Sequence, residues 1–288
     1  MITRRTLLRQ YLMRPDDQVT QVWLYSLAVS AQRHHIDVHG FTLMSTHEHL
    51  TASDPRGVMG HFLRDFHRTV ANAMKALLHM DGNFWEDAPS SVVHLRTTQA
   101  FIEKSGYVVA NPVAALAVPH SRQWPGAIVH ADQIGNKRIT VRRPDAYFDP
   151  KTKQWPATVT LDLTMPDLGD YSDHEARERI AQEAERLEDE ARRNARAEGK
   201  TFMGVKQVKL VSRFKRATKA ESHRELNPTF AVGRSNREAL AVAALAVREF
   251  RRLYRTALNA WREKLRDVLF PAGTFVMRWL HAANIAPT

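Results

Sequence analysis

The chain has no cysteine among its 288 residues. That removes disulfides, thiolate metal sites and cysteine nucleophiles together. It also lacks a long hydrophobic run. The longest, Leu240 to Val247, is alanine-rich and far too short to span a bilayer. The basic start, Met1 to Leu8, is not followed by an apolar stretch, so it does not read as a signal peptide. No G-x-x-x-x-G-K-[ST] loop is present to cradle a nucleoside triphosphate. Acidic residues are in deficit, 31 against 42 Lys and Arg, giving a formal net charge of +11. Such a field attracts polyanions, of which nucleic acid is the commonest for a soluble basic protein. Apolar residues make up 43%, enough for a real core. The expectation is a soluble, cytoplasmic protein without a membrane partner.

Periodicity organises the first half. Thr3 to Met13 mixes basic and apolar residues and reads as a first strand. A helix follows the Arg14-Pro15-Asp16-Asp17 turn, with Val19, Val22, Trp23, Ser26, Leu27 and Ala31 at helical spacing. Ile36 to Met44 and Thr46 to Ala52 read as two strands about a corner at Ser45. Val58, Phe62, Phe66, Val70, Ala73 and Leu77 line a second helix ending near Met80. Ser91 to Leu95 is a short β-type run. Thr97 opens a helix expected to end near Asn111, because Pro112 follows.

The second half is more polar. Residues 131–171 read as a linker with short strand pieces such as Ala157 to Leu163. That divides the chain into a domain over 1–130, the linker, and an extension over 172–288. Ser172 and Glu175 stand at capping-box spacing before a highly charged helix to Glu198. Its only large apolar positions are Ile180 and Leu187, so a solvated or loosely packed helix is expected. Residues 201–270 hold 16 Lys or Arg against 6 Asp or Glu. In them Lys206, Lys209, Arg213, Lys215, Arg216 and Lys219 alternate with apolar residues, a pattern read as a strand or loop that contacts phosphates. Arg237 to Phe270 reads as one long amphipathic helix.

His47 and His49 are two apart on a strand, so both point to one face and Glu48 to the other. Two imidazoles so placed can share a metal ion. Tyr107 and Asn111 are four apart on a helix and share a face. A tyrosine hydroxyl can attack a phosphorus centre that is held and polarised. An asparagine oxygen one turn on can be a third ligand. Each pair alone has a plain structural explanation, since 14 histidines make a His-x-His pair unsurprising and Asn-Pro is a common helix stop.

Together the two pairs carry more. The stretch Phe41-Thr42-Leu43-Met44-Ser45-Thr46-His47-Glu48-His49-Leu50 resembles the metal-binding strand of the HUH single-tyrosine transposases. Tyr107-Val108-Val109-Ala110-Asn111-Pro112-Val113 resembles their nucleophile helix, and Asn83-Phe84-Trp85 and Gln123-Trp124-Pro125-Gly126 resemble two further landmarks in order. The nearest subgroup is the REP-associated tyrosine transposases, and the resemblance covers roughly residues 1–130. It implies an α+β fold, an antiparallel sheet with flanking helices, here followed by a helical basic extension. His47, His49 and Asn111 would hold magnesium or manganese, and Tyr107 would cut single-stranded DNA at hairpin-forming repeats, leaving a 5′-phosphotyrosine. The protein would associate with the nucleoid when bound to DNA. Monomer and homodimer both occur among such enzymes and stay open. A DNA hairpin binder without catalysis and a replication-initiator-like nuclease are the alternatives.

Some positions depart from the family pattern. Thr46 stands where Asn is usual, Glu48 where an apolar residue is usual, and Glu86-Asp87 follow the landmark Trp85 in place of basic residues. A buried Glu48 needs a partner or solvent. For DNA contacts the candidates are Arg4, Arg5, Arg9 and Trp85 beside the site, with Lys206, Lys209, Arg213, Lys215 and Arg216 in the extension.

Overall fold

The computed structural model describes residues 1–169, 171–217 and 229–287. Lys219 lies outside the described residues. The chain is a mixed α+β protein with a small antiparallel sheet flanked by helices.

Strand β1 spans Ile2–Arg5 and gives way to a 3-10 turn at Leu7–Arg9, where an unbroken strand to Met13 was expected. Leu8 and Arg9 sit at φ 51° and 53°, a backbone that ends any strand. Helix α1 is Asp17–His34, and the Asp16 carboxylate caps it by accepting from the Val19 amide at 2.8 Å. Strands β2 (Asp37–Leu43) and β3 (His47–Ser53) form a hairpin. Helix α2 is Met59–Leu78, followed by two-residue strands β4 (Ser91–Val92) and β5 (His94–Leu95). The sheet order is β2-β3-β1-β4, so the histidine strand is interior, paired on both edges.

Alternation sorts the sheet into two faces. Leu50, Phe41 and Ile2 point to α1 and α2, where Trp23 meets Phe41 and Phe66 edge-on in the main core. A bulge at His39 shifts the register, which brings Val38 onto that apolar side as well. The opposite face carries Thr42, His49 and Thr3 in register and is covered by helix α3, Thr98–Ala114.

Helix α3 runs straight through Pro112, past the expected stop. A proline inside a helix costs about 3 kcal/mol, in part because the carbonyl four residues back loses its donor. Here that carbonyl, Val108, accepts instead from the Thr42 hydroxyl of β2 at 2.6 Å. A sheet side chain replaces the missing helix bond, so the helix continues and is pinned to the sheet.

The segment read as a linker packs into the core. Strands β6 (Arg138–Arg142) and β7 (Thr158–Asp162) make an antiparallel hairpin against α1. Ile134, Phe148, Trp155 and Leu161 bury with the first-half residues. Its Pro, Gly and Asp residues make turns between short elements, not a tether. Helix α4, Asp173–Ala197, starts with the expected capping box at Ser172 and Glu175. It is not loosely held. It lies along α3 through small residues, and a Cβ on Gly106 would come within 2.9 Å of Glu183 Cβ and 3.1 Å of the Ala184 nitrogen. Contact made by Ala176, Ala184 and Gly106 needs no large apolar stripe, which is why the sequence hid it.

The basic segment forms a short helix α5, Val205–Leu210, then an irregular run to residue 217. Strand β8 (Phe230–Ala231) adds to β5 in parallel. Helix α6 is Arg237–Arg262 and ends eight residues before Phe270, with Lys264 at φ 67° just beyond it. Strand β9 (Leu269–Phe270), helix α7 (Phe275–His281) and strand β10 (Asn284–Ile285) fold back, and Phe270, Met277 and Ala283 bury against Ala257 in a small cluster of their own. Among the described residues no helix is long and apolar enough to cross a membrane.

Candidate functional site

Strand β3 presents His47 and His49 on the face covered by α3, and α3 presents Asn111 and Tyr107 toward them. His47 Nε2 stands 3.1 Å from Asn111 Oδ1. The His47 and His49 rings meet edge-on at 4.8 Å, and His49 meets Tyr107 edge-on at 5.2 Å. All four residues named from the sequence therefore converge. Asn111 and His49 are buried, whereas Tyr107 is 36% exposed, so one side of the group opens to the surface.

The ring nitrogens are oriented from behind. His49 Nδ1 is 2.8 Å from the Thr3 hydroxyl, and His47 Nδ1 is 3.0 Å from the Thr46 hydroxyl. For His49, a hydroxyl that accepts from Nδ1–H leaves Nε2 bare, the form that ligates a metal, whereas His47 Nε2 faces the Asn111 Oδ1 acceptor and gives up its proton there only on taking an ion. His49 Nε2 is buried and has no hydrogen-bond partner among the described residues. Burial, with the positive charges of His47, Arg5 and Lys104 adding to it, holds the His49 ring well below the ordinary histidine pKa. It is therefore neutral at physiological pH, as a ligand must be.

His47, His49 and Asn111 are the residues that could hold a divalent ion. Two donors at right angles and about 2.1 Å from one ion stand about 3.0 Å apart, and His47 Nε2 and Asn111 Oδ1 are 3.1 Å apart. An orphaned third donor lies beside them. Among the described residues no group of three or more His, Cys, Asp or Glu is placed to hold a metal. The candidate set therefore depends on the Asn111 amide, a weak donor suited to magnesium or manganese acting on a phosphate.

Two residues at the site escaped the sequence reading. Lys104 lies one turn before Tyr107 on α3 and places its ammonium 5.8 Å from the centre of the Tyr107 ring. Helical i, i+3 spacing from Tyr107 was the available signal. Thr3 had none, because it reaches His49 only through the β1–β3 register.

The expected DNA contacts divide. Arg5 pairs with His47 in the sheet register and acts on His49, so it belongs to the site. Arg9 is half-buried in the turn after β1. Lys206, Lys209, Lys215 and Arg216 are exposed. Three others are corrected. Trp85 is 6% exposed and donates from Nε1 to the His67 carbonyl at 2.9 Å, so no base can stack on it. Arg4 projects to the opposite face of the sheet, lying over the Trp85 ring and donating to Ser90 at 3.2 Å. Arg213 is spent on the Asp16 carboxylate and the Leu12 carbonyl. Glu48 is fully buried on Arg4's side and accepts from Trp23 Nε1 and His67 Nε2.

Compared with models of known families, with curated proteins and with solved structures, the chain matches none.

Proposed function

We propose that this chain is a metal-dependent nuclease-transposase that cuts and rejoins single-stranded DNA through Tyr107, on a core of the HUH type. The observation that carries the reading is the buried, partnerless Nε2 of His49, beside His47 Nε2, Asn111 Oδ1 and the Tyr107 ring. A buried polar atom without a partner costs about 1–3 kcal/mol. Here the unpartnered atom lies beside three other groups that can act on one phosphate, so an ion bound there would offset that cost.

His47, His49 and Asn111 would hold the ion, with the Thr46 and Thr3 hydroxyls bonded to the Nδ1 atoms of the two rings. When bound, magnesium or manganese supplies Lewis acidity to a non-bridging phosphate oxygen. Arg5 and Lys104 keep the surroundings positive, so a phosphate is drawn to the same place. The Tyr107 oxygen forms a bond to phosphorus, and the bond from phosphorus to the 3′-oxygen breaks. The 3′-oxygen keeps the electron pair and takes a proton; the tyrosine proton passes to solvent. The 5′-phosphotyrosine conserves the bond energy, so attack by a 3′-hydroxyl rejoins DNA without a nucleotide cofactor. By the resemblance, the cut would lie beside a hairpin-forming repeat.

The test incubates the protein with end-labelled single strands from the DNA flanking its gene, in manganese or magnesium. A covalent adduct that survives denaturant is expected, and Tyr107→Phe and His47→Ala abolish it while both variants keep their circular dichroism. Hairpin binding indifferent to metal, with no adduct from the unaltered protein, overturns the reading in favour of a binding protein.

A further inference from the structure

The basic run after α5 does not trail from the fold but is sewn to it. The Tyr11 amide donates to the Lys215 carbonyl at 3.2 Å, and the Ala217 amide donates to the Arg9 carbonyl at 3.1 Å. Gln10 pairs with Arg216 in an isolated antiparallel bridge, and its side chain donates to the Phe214 carbonyl at 3.1 Å. The Arg14 guanidinium donates to the Val211 carbonyl at 3.1 Å, and Arg213 answers by gripping Asp16. One link further, the Thr6 hydroxyl lies 2.6 Å from the Gln10 carbonyl and 3.0 Å from the Thr46 carbonyl, next to His47. The strap therefore lies at the end of the sheet that carries the His47–Tyr107 group.

What the strap shows to solvent is unusual for a surface held this firmly. Phe214 is 57% exposed and Leu210 63%. Lys209, Lys215 and Arg216 stand exposed around them. Leu8, on the strained turn that the strap clamps, is exposed as well. An aromatic ring among cations, on backbone fixed from both sides, is the combination that binds unpaired nucleotides: the ring takes a base face and the cations take the phosphates. A second protein chain would have to cover those cations.

We infer that Phe214, flanked by Lys209, Lys215 and Arg216, is a stacking platform for an unpaired DNA strand leading to the Tyr107 site. The inference rests on the nuclease reading for the destination of the strand, not for its binding. The probe is a fluorescent oligothymidylate of roughly 20 nucleotides, titrated with the full chain in EDTA so that no cleavage occurs. Phe214→Ala is expected to weaken binding about tenfold, Phe214→Trp to preserve it, and neither to move Tm. Lys215→Gln with Arg216→Gln lowers the salt slope of log Kd by about 1–2. The inference falls if the unaltered chain does not bind the strand in EDTA. It also falls if a duplex of the same length binds as well, or if Phe214→Ala binds like the unaltered chain. A change of oligomeric state in Phe214→Ala, read by sedimentation, overturns it in favour of an interface between copies. Loss of binding in Phe214→Ala together with no adduct from the unaltered chain in manganese would sink the nuclease reading alone. An adduct that Phe214→Ala forms normally, with unchanged affinity, would sink the platform alone.

Discussion

The two faces of strand β3 bury polar side chains in opposite ways. Behind the strand, Glu48 is enclosed completely, yet both of its oxygens are bonded, one to Trp23 and one to His67. Arg4 can only donate, so its contact with His67 Nδ1 makes that nitrogen the acceptor and leaves Nε2–H for Glu48. The Glu48 charge in turn supports Arg4 against the burial that lowers its pKa. One gap remains there, the buried Arg4 Nε. On the front, His49 is almost as buried, its ring meets His47 and Tyr107 edge-on, and its Nε2 has no partner among the described residues. A carboxylate with both oxygens bonded holds a fold together. A buried donor atom left open, among residues that could share an ion, marks a place for something else.

Three substitutions on the two faces turn this comparison into measurements. The largest stability loss is expected at the back. Glu48→Leu removes the acceptor of Trp23 and His67 and the counter-charge of Arg4, and should cost about 3–5 kcal/mol. Urea unfolding monitored by circular dichroism measures it. A loss under about 1 kcal/mol would show that the closed network is not what secures the back face.

Next in size is Thr42→Val, on the front. The change keeps the shape and deletes the hydroxyl that serves the Val108 carbonyl beneath Pro112. A buried carbonyl left unpaired costs about 1–3 kcal/mol. Local loosening should appear as faster amide exchange from Val108 to Ala114 than in the rest of α3. If exchange is uniform along α3, Thr42 does not pin the helix and the tyrosine is positioned by other contacts, with Gly106 against α4 as the first to examine.

This pinning also marks where the sequence was readable. Alternation and helical spacing are local, so His47 with His49 and Tyr107 with Asn111 could be paired on faces without knowing the fold. What joins the two pairs is not local. The β1–β3 register brings Thr3 to His49, and the Thr42 bond carries α3 past Pro112. Trp85 and Arg213 look like surface contacts in a basic sequence and become internal ones only when residues 18 and 197 positions away arrive beside them. Residues 131–171 looked like a linker because short strands and turns carry little periodic signal, while their burial against α1 comes entirely from long-range packing.

The smallest expected change is the most telling. His49→Leu keeps the volume of a buried side chain, removes the orphaned nitrogen and gives up one bond, to Thr3. Those terms nearly cancel, so stability without metal should shift by less than about 1 kcal/mol. The unaltered chain should gain stability as manganese is added, by an amount that grows with the logarithm of concentration above the Kd. The variant should not. One strand would then hold two neighbouring buried polar residues, one that the fold cannot lose and one that only its ligand needs. Equal gains from manganese in both proteins would place the ion elsewhere. A loss at His49 as large as at Glu48 would make the front face structural too, and the open nitrogen would lose its meaning.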